Sequence, residues 1–146
     1  MLLGILPGLI VFLVDRATKI LLDGVKAPLI PGVIALNGVR NTGMALGLFP
    51  GNPVPALLLS LAVAVLCVLL LRKVQCKGLG LFSVSLMAGG ALGNLLDRLL
   101  YGSVIDLFEL LFVRFYVFNV ADVGVVVGAM LCGISLLFRP QDWSGR

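Results

Sequence analysis

Four continuous apolar stretches dominate this chain: roughly Leu2 to Leu22, Val54 to Leu71, Leu79 to Leu96 and Val120 to Phe138. At ~1.5 Å of helical rise per residue, a stretch of this size crosses a hydrocarbon layer of about 30 Å, the shorter ones relying on neighbouring turns or local thinning. The runs do not alternate between apolar and polar residues, which excludes a transmembrane β-barrel. Residues are 60% hydrophobic and only 12% charged, outside the balance of an ordinary soluble domain. The expectation is an all-α polytopic membrane protein. It would be a single integral domain over residues 1–146 with four transmembrane helices and outer loops at 23–53 and 97–119.

The first stretch is N-terminal like a secretory signal peptide. No basic region precedes it, however, and Asp15, Arg16 and Lys19 interrupt it, so it reads as a retained anchor. Cys67, Cys76 and Cys132 are an odd number in unrelated contexts and imply no disulfide framework. A formal charge of +4 with no basic tract points to anionic lipid headgroups as neighbours, not to nucleic acid. Arg72, Lys73 and Lys77 form a short hairpin without an acid, and Arg139 and Arg146 follow the fourth stretch with only Asp142 opposing them. Counting basic residues near span ends puts both regions inside, and an even number of spans then puts the N-terminus inside too.

With helices one and three running outward, Asp15 and Lys19 fall toward the outer end of the first stretch. Asn94, Asp97 and Arg98 fall toward that of the third, and Asn119 and Asp122 stand at the outer mouth of the fourth. All converge on one membrane level. Asp15 and Lys19 are four apart, Asn94 is three from Asp97 and four from Arg98, and Asn119 is three from Asp122, so each set shares a helix face. Ionisable groups in or beside hydrocarbon are costly and mark an ion path, a binding site or chemistry. Gly89, Gly90 and Gly93 on span three and Gly124 and Gly128 on span four offer small surfaces for close helix approach.

The loops are less explicit. Pro28, Pro31, Gly32 and Gly38 punctuate region 23–53, in which Leu29-Ile30 and Val33 to Leu36 suit short extended pieces or an interfacial segment. Asn41 to Gly47 reads as a compact loop or a plain connector. Val104 to Phe118 mixes aromatics with Asp106, Glu109 and Arg114, and fits a re-entrant strand pair or a short amphipathic helix.

The absence of histidine excludes Ser-His-Asp and Cys-His catalysis and the histidine-bearing zinc sites. A serine-lysine pair of Ser103 and Lys19 stays open. What remains in quantity is carboxylate. Two carboxylates sharing one proton can divide labour, the charged one drawing a proton from water and the protonated one donating to a carbonyl oxygen. Against this enzyme reading stand an ion or proton carrier, whose acids would be spread through membrane depth, and a non-catalytic membrane subunit.

Five blocks carry a resemblance. They are Asp15-Arg16-Ala17-Thr18-Lys19, Arg40-Asn41-Thr42-Gly43-Met44-Ala45-Leu46-Gly47, Gly89-Gly90-Ala91-Leu92-Gly93-Asn94-Leu95-Leu96-Asp97-Arg98, Gly102-Ser103-Val104-Ile105-Asp106-Leu107 and Phe118-Asn119-Val120-Ala121-Asp122. In order and content the chain resembles the bacterial lipoprotein signal peptidases. The resemblance implies an inner-membrane or plasma-membrane aspartyl endopeptidase with four transmembrane helices; loop charge adds the expectation of cytoplasmic termini and a site near the extracytoplasmic face, and the chain is expected to be a monomer among membrane lipids. Its substrate would be a diacylglyceryl-modified prolipoprotein, cut just before the lipidated cysteine. Asp106 and Asp122 correspond to the catalytic pair. Asn94, Asp97, Arg98 and Asn119 correspond to a supporting polar shell, with Asp15 and Lys19 as a packing or orientation pair and Asn41, near Gly43, as a loop residue reaching the site. The resemblance further implies that loop 23–53 forms a small extracytoplasmic β-structured platform with a short helix over the site, and that no metal or organic cofactor is used. Met44 and Leu46 stand where the family tends to have Ala and Phe, and Leu107 where Phe is usual. All three changes are expected to alter lipid or peptide fit and to leave the chemistry intact.

Overall fold

The computed structural model describes residues 2–43, 52–73, 77–113 and 117–143. Four long helices, α1 (Leu2–Leu22), α2 (Val54–Lys73), α3 (Gly78–Tyr101) and α4 (Val120–Phe138), are joined by a three-stranded sheet of β1 (Lys26–Ile30), β2 (Ile34–Asn41) and β3 (Val104–Leu110). α2, α3 and α4 are long and apolar enough to cross a membrane. α1 matches them in length, with 21 residues, and differs in carrying Asp15, Arg16 and Lys19. The burial pattern is that of a lipid-solvated bundle. Leu13, Leu58, Met130 and Leu137 face outward, whereas Ser83, Ser85, Asn94 and Asp97 are buried.

α3 is the central helix and packs against the other three. Its small residues allow this. A Cβ on Gly89 would fall on the backbone carbonyl of Gly8 in α1, and one on Gly90 would fall on the carbonyl of Ala121 in α4. Ser85 completes the α1 seam, accepting from the Gly8 amide (2.9 Å) and donating to the Ile5 carbonyl (3.0 Å). α3 continues past Leu96, where the apolar stretch was ended, through Leu99-Leu100-Tyr101. It stops at Gly102, whose φ of 67° turns the chain and lets its amide reach the Arg98 carbonyl. Residues 97–101, expected in the outer loop, are therefore helical, and Asp97 and Arg98 sit on a rigid element.

The sheet is antiparallel in the order β1-β2-β3. Only β1 and β2 come from loop 23–53. The third strand comes from the loop after α3, so the platform draws on both loops. A register shift between Leu36 and Val39 lets β2 follow β3 along its length, pairing Val39 with Asp106 and Asn41 with Val104. Of the two readings of 104–118, the strand holds: beyond β3 the chain turns, and Phe118 pairs back with Phe108. Leu107, expected to bear on lipid or peptide fit, is instead fully buried with Leu36 and Ile105 under the sheet. Met44, Leu46 and the loop segment 44–51 from which a short helix over the site was expected lie outside the described residues.

At the other end of the bundle a short 3-10 turn, Pro140–Asp142, clips the C-terminal segment to the start of α3. Asp142 Oδ2 accepts from the amides of Leu79 (3.0 Å) and Gly80 (3.3 Å), and the Trp143 indole donates to Ser135 Oγ (3.0 Å). A carboxylate against free helix N-terminal amides is a cap supplied from a distance. Asp142→Ala should therefore cost about 1–2 kcal/mol of thermal stability in detergent, and Asp142→Asn less, because one acceptor oxygen remains. An alanine variant that melts like the native chain would remove this clip from the account.

Candidate active site

α1, α3, α4 and β3 meet around two carboxylates, one buried and one half-buried. Asp106 lies in β3 opposite Val39, and Asp122 lies in the first turn of α4. One residue ties them together. Asn119 is the N-cap of α4, accepting from the Asp122 amide (2.9 Å) while Asp122 Oδ2 accepts from the Asn119 amide (3.2 Å), a reciprocal capping box. The Asn119 side-chain NH₂ then donates to Asp106 Oδ1 at 2.7 Å. The device that starts α4 thus also joins the two carboxylates.

The remaining oxygens are also occupied. Asp106 Oδ2 accepts from Asn41 Nδ2 (3.0 Å), and Asn41 is itself held by the Gly43 amide on its Oδ1 (3.0 Å). Asp122 Oδ1 accepts from Asn94 Nδ2 at 2.7 Å. Burial first, and then the neighbouring Asp122 charge, push Asp106 up to about 6, against the hydrogen bonds from Asn41 and Asn119 that lower it. A carboxyl at that value can hold or release a proton near neutrality.

Beneath the pair lies a neutral cluster of two acids and two bases. Lys19 Nζ meets Asp15 Oδ2 (2.9 Å) and Asp97 Oδ2 (2.8 Å), and Arg16 meets Asp97 Oδ1 (2.6 Å) and Asp15 Oδ2 (2.9 Å). Asp15 and Lys19 do pair across one helical turn, as their spacing predicts, yet Lys19 bonds equally to Asp97 on α3. Both acids also reach the backbone. Asp15 Oδ1 accepts from the Ala121 amide (3.0 Å) and Asp97 Oδ2 from the Ile105 amide (3.4 Å), each next to one of the site carboxylates. Buried ion pairs of this kind specify geometry more than they add stability.

Arg98 is oriented differently. It turns from Asp97 toward α2, donating to Ser60 Oγ (3.0 Å) and to the Asn94 carbonyl (3.4 Å). It lies at the polar end of a groove of about 520 Å³ between α2, α3 and α4. Asp106, Asp122, Asn41 and Asn94 share that end, while Leu59, Val63, Val123 and Val126 line the apolar remainder. Such a groove can hold a lipid-like or helical apolar ligand with one polar junction presented to the carboxylates.

Every site residue expected from the sequence, Asp15, Lys19, Asn41, Gly43, Asn94, Asp97, Arg98, Asp106, Asn119 and Asp122, belongs to this one connected cluster. Two members were missed. Arg16 was passed over because it is off the face shared by Asp15 and Lys19, although its long side chain reaches both acids. Ser60 is a lone hydroxyl in a featureless apolar helix and gave no signal. Among the described residues, none of the acids and cysteines are grouped to hold a metal.

Known proteins resemble this chain in sequence and fold. The family described as signal peptidase (SPase) II matches residues 8–138. The lipoprotein signal peptidase of Clostridium acetobutylicum is 38% identical over 143 aligned residues, covering 92% of this chain and 93% of the relative. That of Parasynechococcus marenigrum is 40% identical, covering 99% of this chain and 90% of the relative. Two solved bacterial membrane enzymes, both obtained by the in meso method, share the fold. One has a TM-score of 0.84 and 26% identity over 100% of this chain and 94% of its own. The other has a TM-score of 0.81 and 27% identity over 95% of each.

Proposed function

The chain belongs to the signal peptidase (SPase) II family, and from that premise we propose that it is an aspartic-type endopeptidase removing signal peptides from diacylglyceryl-modified prolipoproteins, with Asp106 and Asp122 as the catalytic pair. The observation that carries this reading is the pair itself: two carboxylates withdrawn from the surface and joined through Asn119 at the polar end of an apolar groove. The pair holds one proton. The ionised member takes a proton from water as it attacks the scissile carbonyl, the protonated member donates to the carbonyl oxygen, and collapse of the tetrahedral species passes a proton to the leaving amine. Asn41, Asn94 and Asn119 hold the carboxylates in place, and Arg98 supplies N–H groups at the rim of the groove. Asp15, Lys19 and Asp97 fix the elements beneath.

In this reading all four helices span a bacterial cytoplasmic membrane, α1 carrying its charges inside the bundle. Both termini are cytoplasmic and the site is near the extracytoplasmic face. Support comes from loop charge: Lys77 and Arg139 lie at the end of the bundle away from the sheet, where the Lys77 backbone amide donates to the Asp142 carbonyl and the Arg139 guanidinium meets the Asp142 carboxylate at 3.6 Å. The groove and pair are complete within one chain, which suits a monomer. The signal helix and acyl chains would occupy the groove from the lipid side, while the cleavable, non-helical segment has its backbone groups sheltered by the polar end.

Acyl chains already in a bilayer gain little by entering another apolar phase. Their contribution is placement, setting the depth at which the scissile bond meets the carboxylates, and misplacement by ~1 Å can cost about 10²-fold. The purified chain should cut a diacylglyceryl-modified precursor immediately before its cysteine, as read by mass spectrometry, and cut the unmodified precursor roughly 10²-fold more slowly. Equal rates would remove the lipid from the mechanism, and cleavage of neither would remove the proposal.

A further inference from the structure

The three asparagines around the carboxylates all present NH₂ to an acid, and in each a donor on the opposite side fixes that orientation. For Asn41 the donor is the Gly43 amide, and for Asn119 it is the Asp122 amide. For Asn94 the donor is the Lys19 ammonium, at 3.1 Å from its Oδ1. A lysine can only donate, so the carbonyl of Asn94 must face it and the NH₂ must face Asp122. Lys19 is 1% exposed, and its three N–H groups match its three contacts, to Asp15, Asp97 and Asn94. The donors to Asn41 and Asn119 are backbone amides, so among the described residues Lys19 is the one side chain that sets the direction of a hydrogen bond into the pair.

We propose that Lys19 is a positioning residue for catalysis: by holding the Asn94 carbonyl it turns the Asn94 amide onto Asp122 and keeps Asp122 a hydrogen-bond acceptor in its ionised form. The inference rests on the aspartic mechanism above. Without Lys19, Asn94 can rotate and offer its carbonyl to Asp122, which favours a proton on that carboxyl. The charged groups facing Asp122 are Lys19 from α1, Arg98 from α3 and Asp106 from β3, while α2 contributes the neutral Ser60 to this end of the groove. Arg16, Asp15 and Asp97 surround Lys19 from α1 and α3.

The test compares pH profiles of the full chain in detergent, acting on a diacylglyceryl-modified precursor. In the double variant Asp15→Asn/Lys19→Met, charge and countercharge leave together, so the field at Asp122 changes little while Asn94 loses its donor. The ascending limb of kcat/KM should move up by about one pH unit. On that limb, below about pH 6, kcat should fall roughly 10-fold with KM unchanged, because Lys19 does not line the groove. Lys19→Met alone should move the limb in the same direction and further, and Lys19→Arg should retain the native limb. A purely structural lysine would lower the melting temperature and the yield without moving the limb, so a folded double variant with the native profile overturns the proposal. If the double variant does not fold, Lys19→Met decides by the same criterion. If neither folds, Lys19→Arg decides: a native profile supports the proposal, and a folded variant that has lost kcat overturns it. Asp106→Asn in the same assay keeps the two questions apart, since its full activity would sink the aspartic mechanism itself.

Discussion

Asp106→Asn and Asp122→Asn are each expected to lower kcat by at least about 10³-fold on a lipidated precursor, with the double variant little worse than either single one. Asparagine keeps the size and two polar atoms but can neither hold the shared proton nor draw one from water. Groups that act as a unit lose most of their effect with the first deletion, so additive losses would argue for independent roles. The same substitution should act oppositely on stability. Asp106 ordinarily titrates at 3.8 and is raised here to about 6, by burial first and then by the Asp122 charge. The native state therefore holds the proton more tightly than the unfolded chain. That contribution is complete below about pH 4 and is lost as pH rises through 6, where ionised Asp106 costs about 2–3 kcal/mol relative to its unfolded state. Asp106→Asn should thus melt at or above the native temperature at pH 8, with the advantage gone at pH 4. A variant less stable than the native chain at pH 8 would contradict the buried-charge account. Native turnover should decline above about pH 6, as the pair loses its last proton.

The second large effect belongs to Gly89. Its missing Cβ is the space occupied by the Gly8 carbonyl, and backbone cannot rotate away as a side chain can. Gly89→Val should push α1 off α3, cost about 3 kcal/mol, and abolish cleavage by separating Lys19 and Asp15 from Asn94 and Asp97. Gly133→Ala is the control. Nothing lies within 4 Å of a Cβ at that position, so the change should be neutral or stabilising by up to about 1 kcal/mol. If both variants melt together with the native chain, the α1–α3 seam is looser than its geometry implies.

How much of this was legible beforehand depended on whether a residue's partner lay on its own element. Asn119 and Asp122, three apart at a helix start, form a local capping box that spacing alone could suggest. The Asp15–Lys19 pair was similarly visible. Lys19 with Asp97, and Arg16 with both acids, depend on α1 lying against α3, which no local pattern encodes. Asp97 and Arg98 were both placed on the helix face of Asn94 by spacing, yet the two side chains took different partners, Asp97 the bases of α1 and Arg98 the Ser60 hydroxyl of α2. β3 was ambiguous because its burial is nearly continuous from Val104 to Leu107, which erases the alternation by which a half-exposed strand is recognised. The third strand was therefore missing from the expected platform. Apolar helix lengths, by contrast, follow from composition, and the ends missed were those set by tertiary capping or a single left-handed glycine.

The bond from the Ala121 amide to Asp15 Oδ1 joins α1 to α4 across 106 residues of chain. Asp106 is synthesised before Asp122 and Asn119, so a nascent chain exposes one carboxylate without its mate or its tether. On the proposed mechanism, cutting power is therefore absent until α4 docks. On that mechanism, the order of synthesis itself acts as a safety catch in a membrane crowded with uncleaved precursors.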